Sequence, residues 1–247
     1  MTVSGSVRQT LVATKMLLVE SNRQVGFLLG FTVLFPIGIL FFLNELVAPD
    51  LRTQVLVGVI MMEMALLNIN TLAQSIGTDK QSKLFDLWVS LPISPVVYVL
   101  GIAFQLLPYS LLSAFVTLGV AIAAFGIQLP WTAVPLLVFG LVVVWASTLG
   151  IGFLIGVYGR SPRQINLWAQ LIGILLSFFA PVFYPLSALP APLQVVASAW
   201  PLTWGAQFLL GILHSSTRVV LESGLVLGGF IALWFVLIGL GLRWRQK

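Results

Sequence analysis

From Leu87 to Gly159 the chain carries no charged side chain, and from Gln164 to Thr217 it again carries none, with the neutral His214 among them. A membrane crossing takes about 20 apolar residues, so each of these stretches is long enough for two crossings. With 8% charged residues and a mean hydropathy of +1.07, a soluble globular domain is excluded. The remaining charges divide the chain into six expected transmembrane helices, at residues 25–46, 54–76, 96–125, 132–157, 164–180 and 219–242. The expected fold is a single all-α, polytopic membrane domain spanning the whole sequence.

Net charge is +5, but the basic residues do not form a nucleic-acid footprint. Of 12 Lys and Arg, all but Arg52 and Arg218 fall on one side of the six-crossing layout. The positive-inside rule then puts both termini and the loop after the second span in the cytoplasm. No cleavable signal peptide is expected, because the first apolar run follows a charged stretch and is already of span length. Residues 5–24 read as an N-terminal interfacial helix or as a plain basic leader. Val7, Leu11, Thr14 and Leu18 share a face, while Val12, Met16 and Val19 lie nearly opposite.

The longest polar interruption between spans is GTDKQSKLFDLWVSLPISP, residues 77–95. Read as a helix, it puts Asp79, Lys83, Asp86 and Ser90 on one side and Leu84, Phe85, Trp88 and Leu91 on the other. Thr78 with Gln81 is a capping-box start, Pro92 and Pro95 are stops, and Lys83 has Asp79 and Asp86 at pairing distance along the helix. The pattern alone leaves open whether the apolar face rests on lipid or docks on a partner.

Away from the span ends, where Glu45 and Glu222 sit, Glu63 is the one intramembrane charge; Asn70 and Gln74 share its stripe and Asn68 lies off it. Such a carboxylate faces a protein interior or a watery path. An interhelical hydrogen bond made by a protonated Glu is the structural reading, and both stand. Pro36 kinks the first span and Pro108 breaks the third. Gly152 and Gly156 mark close helix packing in the fourth. Ser161-Pro162 caps and opens the fifth.

Residues 181–213 contain Pro181, Pro185, Pro190, Pro192 and Pro201, of 13 prolines in all. The stretch is too apolar for an exposed loop and too broken for one straight helix, so it reads as an outer re-entrant segment between the fifth and sixth spans. Phe178, Phe179, Phe183, Tyr184, Trp200 and Trp204 supply an interfacial belt or the aromatic wall of a pathway.

Catalytic chemistry finds little material. A P-loop needs Gly directly before its Lys, and Lys15, Lys80, Lys83 and Lys247 follow Thr, Asp, Ser and Gln. With no cysteine and one histidine, zinc clusters and Cys–His catalysis are out, and no metal site is expected. His214 beside Ser215 and Ser216 reads as a solvated side chain in a polar turn. The chain is not expected to be an enzyme.

The loop at 77–95, with its Gly-Thr start, acidic-apolar helix and Ser-Pro end, resembles that of the type-2 ABC transporter permeases. The later series PVFYPLSALPAPLQVVASAWPLTWGAQFLLGIL is similar to the same family's, with Trp200 where the family carries Asn. The resemblance covers essentially the whole chain. It implies the membrane subunit of an ATP-driven exporter, paired with a second permease, identical or paralogous, in the cell's inner (plasma) membrane. This chain would bind no cofactor itself, with ATP and magnesium on a separate ATPase subunit. By position, residues 79–91 would be the coupling helix, with Asp79, Lys83, Leu84, Phe85, Leu87 and Trp88 as its ATPase-coupling residues. Pairing would place the first, second and fifth spans around a route lined by Phe31, Phe35, Glu63, Asn70, Phe178, Phe179, Phe183 and Tyr184. Few charges and many Phe there suit an amphipathic drug, a lipid or a lipid-linked glycan. Two other readings are an ion-coupled secondary transporter, which would want more intramembrane ionisable groups, and a non-transporting membrane scaffold. Membrane lipids are expected partners and nucleic acid is not.

Overall fold

One long helix, Arg52–Gln81 (α1), forms the axis on which the other elements pack. The computed structural model describes residues 30, 34, 36–42, 47–90, 94–127 and 129–240, the side chains of Asp50 and Phe178 excepted. Among these residues all regular elements are helical. After α1 come α2 (Leu84–Ser90), α3 (Pro95–Phe125), α4 (Val134–Tyr158), α5 (Pro162–Phe179), α6 (Ala191–Ser198), α7 (Pro201–Leu213) and α8 (Thr217–Gly239).

Burial ranks the helices. In α1, 83% of the most apolar stretch is buried, against 11% in α8, so α1 is the core and α8 is peripheral. α3, α4, α5 and α7 all contact α1. The closest approach is to α4: a Cβ on Gly152 would stand 3.0 Å from the Ile69 carbonyl oxygen, and one on Gly156 would stand 2.8 Å from Ile76 Cβ. Both glycines therefore serve close backbone packing. α8 rests on α4 and α7, where Trp234 Nε1 donates to the Ser147 carbonyl at 2.7 Å.

Local sequence explains most helix ends. Ser94 Oγ accepts from Val97 N at 3.3 Å with Pro95 opening α3, and Ser161 Oγ accepts from Gln164 N at 3.3 Å with Pro162 opening α5. α3 ends at Gly126, whose φ of 64° is the left-handed conformation glycine adopts without a Cβ penalty. The expected break at Pro108 does not occur: α3 continues through it as one helix. A missing backbone hydrogen bond inside a packed bundle is tolerated when neighbouring helices support the backbone.

The six-span expectation is met in part. Four described helices, α1, α3, the stretch from Trp131 to Tyr158 that includes α4, and α8, are long and apolar enough to cross a membrane. The count becomes five if α6 and α7, bent at 91°, form one broken span. The expected fifth span, 164–180, is the 18-residue α5, whose first turns carry Arg163, Gln164 and Asn166, so it falls short of a continuous apolar crossing. Residues 5–24 and most of 25–46 lie outside the described residues, although 36–42 are helical. The stretch 181–213 is broken as its prolines demand, into a 3-10 turn at Leu186–Ala188 followed by α6 and α7.

Candidate functional site

The expected helix 79–91 is corrected to the shorter α2. Thr78 and Asp79 belong to the last turn of α1, where Ser82 N and Ser82 Oγ both reach the Thr78 carbonyl at 2.9 Å and close the helix. Lys83 then adopts a left-handed φ of 61° and turns the chain before α2 begins. That turn undoes the helical spacing on which a Lys83 pairing rested, and no ion pair joins Lys83 to Asp79 or Asp86 among the described residues. Leu91 lies outside the described residues.

Tyr98, in the first turns of α3, organises this corner. Its hydroxyl donates to Asp79 Oδ2 at 2.6 Å, which ties α1 to α3. The Phe85 ring meets the Tyr98 ring edge-on at 6.0 Å between centroids, and the Trp88 ring lies tilted against it at 5.9 Å. Lys80 Nζ stands 5.8 Å from the centre of the Phe85 ring and donates to the carbonyls of Gly156 and Val157 at the end of α4. Phe85 is therefore buried and Trp88 half-buried within the chain's own bundle. Their rings hold α2 against the bundle, so of these two docking candidates Phe85 is turned inward and Trp88 keeps part of its surface outside. The outward face carries Asp86, Ser90 and Leu87, the last 54% exposed, with Leu84 half-buried between the two sides.

Among the described residues, the route candidates lie at separate places within the single chain. Glu63 is 2% exposed and lies between α1 and α3, where Ser113 Oγ donates to it at 2.6 Å and Thr117 Oγ1 at 3.0 Å. Asn68, nearby on α1, accepts from Ser110 Oγ at 2.9 Å and donates to Thr148 Oγ1 at 3.1 Å, adding α4 to the same polar seam. Through these bonds the seam joins α1 to α3 and α4. Asn70 points elsewhere. It is half-buried beside Gly173 of α5, donates to the Leu66 carbonyl at 2.9 Å, and its buried amide oxygen has no partner among the described residues. Phe179 is exposed at the end of α5, Phe183 is half-buried against Gly58, and Tyr184 is half-buried beside it. Phe31, Phe35 and the Phe178 side chain lie outside the described residues.

Sequence pattern does not single out Tyr98, Lys80, Asn166 or Gln170. Asn166 Oδ1 accepts from Gln74 Nε2 at 3.1 Å and from Gln170 Nε2 at 2.8 Å, a polar trio at the outer edge of the α1–α5 contact. The i,i+4 spacing of Asn166 and Gln170 at the start of an apolar run is the signal that marks them. At the opposite end of the bundle, Gln54 Nε2 donates to the Val182 carbonyl at 2.9 Å beside a cleft of about 350 Å³ lined by Pro181, Gln207, His214 and Ser216. Among the described residues no cluster of His, Asp and Glu could hold a metal ion.

No curated protein matches the chain. The family model described as ABC-2 type transporter matches residues 9–214, which include α1 to α7 and the α2 corner. That family model describes the membrane permease of an ABC transporter, which works with a separate ATP-hydrolysing subunit, and the apolar helices described above are those of a multi-pass membrane protein. With residues 9–214 of 247 so matched, the chain belongs to the ABC-2 type transporter family and is a permease subunit.

Proposed function

We propose that this permease is the membrane half of an ATP-driven exporter, that two such subunits pair around a central route, and that α2 docks on the ATPase subunit that binds ATP and magnesium. The observation that carries the reading is the division of α2. Phe85 and Trp88 face Tyr98, which leaves Asp86, Leu87 and Ser90 on a free outer surface at the end of the bundle. A helix fixed to α1 and α3 and presenting its other side is suited to convert a push from below into tilting of those helices. ATP then favours one of two discrete arrangements of the bundle.

Lys80, Lys83, Arg160 and Arg163 cluster at the α2 end, which supports its placement in the cytoplasm with both termini, in the inner membrane, and with six spans in all. Pairing is supported by the outward face of α5, where Leu167, Trp168, Leu171 and Phe179 are exposed and the Gln74–Asn166–Gln170 trio runs alongside. A surface with that mixture suits an amphipathic cargo such as a drug, a lipid or a lipid-linked glycan.

The test is co-purification from a cell that makes both the chain and its ATPase. Leu87→Asp together with Asp86→Lys should leave the permease in the membrane fraction and release the ATPase. Retention of the ATPase on that variant, or export that persists when the ATPase is deleted, overturns the reading; the second result would favour a secondary transporter.

A further inference from the structure

Lys80 sits on the last turn of α1, yet its ammonium group serves another helix. It donates to the carbonyls of Gly156 at 2.8 Å and Val157 at 2.5 Å, and to that of Gly159 at 3.3 Å just beyond the end of α4. The last carbonyls of a helix have no partner within it, and they form the negative end of its dipole. A cation supplied by a neighbouring helix both satisfies these groups and complements the dipole. The same ammonium lies over the Phe85 ring at 5.8 Å. One side chain of α1 therefore touches α2 and the end of α4 at once.

The geometry points to Lys80 as a positioning residue that joins α2 to α4, so that displacement of α2 is passed into α4. The inference rests on the proposed docking of α2 and adds to it a path of transmission. Asp79 and Tyr98 link α2 to α1 and α3. No direct helix-to-helix packing of comparable extent joins α2 to α4, and Lys80 bridges that gap. From the end of α4 the motion reaches the α1–α4 interface at Gly156 and Gly152, where the backbones are too close to slide independently. A general stabilising role would leave the angle between α2 and α4 unaffected by the charge of residue 80.

The experiment uses the absence of cysteine in the chain. Spin labels on Leu87→Cys, on the outer face of α2, and Arg160→Cys, just past α4, report one distance in the full chain in lipid nanodiscs. With Lys80 present, and with Lys80→Arg, the distance distribution should be narrow. With Lys80→Met it should broaden or shift. In the unlabelled complex, Lys80→Met should keep ATP hydrolysis by the partner while cargo moved per ATP falls at least about fivefold, the low end for a coupling between sites. Lys80→Arg should restore it. An unchanged label distance in Lys80→Met overturns the inference, as does a loss of hydrolysis and transport in equal proportion. If the wild-type complex itself shows no ATP-driven transport, the exporter reading fails, and the label distances still decide whether Lys80 sets the position of α2.

Discussion

Tyr98 Oη donates a 2.6 Å hydrogen bond to Asp79 Oδ2, so a buried carboxylate of α1 is held by the first turns of α3 directly above α2. Removing a donor from a buried acceptor costs more than the bond is worth, because the acceptor keeps its desolvation cost. Tyr98→Phe should therefore lower stability by about 1–3 kcal/mol. Tyr98→Ala, which also removes the ring that Phe85 and Trp88 meet, should cost more than Tyr98→Phe. Thermal unfolding of the purified permease in detergent reads both, and an equal Tm for wild type and Tyr98→Phe would sink the argument.

The two sides of α2 should respond differently. Phe85→Ala removes a buried ring set edge-on to Tyr98 and should cost about 3 kcal/mol, whereas Leu87→Ala, on the exposed side, should stay within about 0.5 kcal/mol. The transport assay should reverse the order per folded molecule, with Leu87 the more damaging to coupling. A Leu87 variant that unfolds, or a Phe85 variant with unaltered Tm, would show that the faces have been assigned the wrong way round.

Glu63 provides a test of fastening against cargo path. Glu63→Gln keeps an oxygen that Ser113 or Thr117 can reach, and interhelical polar contacts in membranes contribute on the order of 1 kcal/mol. Export by Glu63→Gln should be near that of wild type, and Glu63→Ala should lose folded protein before it loses activity. A fully folded Glu63→Gln protein that exports nothing would place Glu63 on the path.

Close packing and open space can be separated at two glycines. Gly156→Leu forces a side chain into Ile76 and should destabilise by roughly 1–3 kcal/mol. Gly119 is exposed, and a Cβ added there meets nothing within 4 Å among the described residues, so Gly119→Leu should be silent, within about 0.5 kcal/mol. Size-exclusion profiles and Tm measured side by side check the pair.

Apolar runs with few charges foretell α1, α3, α4 and α8, because water and lipid sort residues by charge more sharply than by any other property. The prolines between Pro181 and Pro201 likewise foretell the division into α6 and α7. The aim of α2 was not legible. The apolar side of a seven-residue helix suits lipid, a partner protein or its own bundle equally well, and only the position of Tyr98 decides among them. The end of α1 was hidden for a related reason. Thr78 and Gln81 form a capping signal that a continuing helix can ignore once Ser82 closes the turn and Tyr98 holds Asp79. The partners of Glu63 were equally hidden, since Ser113 and Thr117 lie on a helix whose rotation no periodicity in α1 specifies.

The turn between α1 and α2 depends on one lysine backbone at a φ of 61°. For a residue with a Cβ that conformational basin is small, so the elbow has little angular play. A stiff elbow wastes little of a short stroke, where a glycine in the same place would let α2 flap while the bundle stood still. In mechanical terms, under the proposed docking of α2 the sharpness of the response to a nucleotide cycle would follow from how narrow the allowed backbone angles are at a single exposed residue.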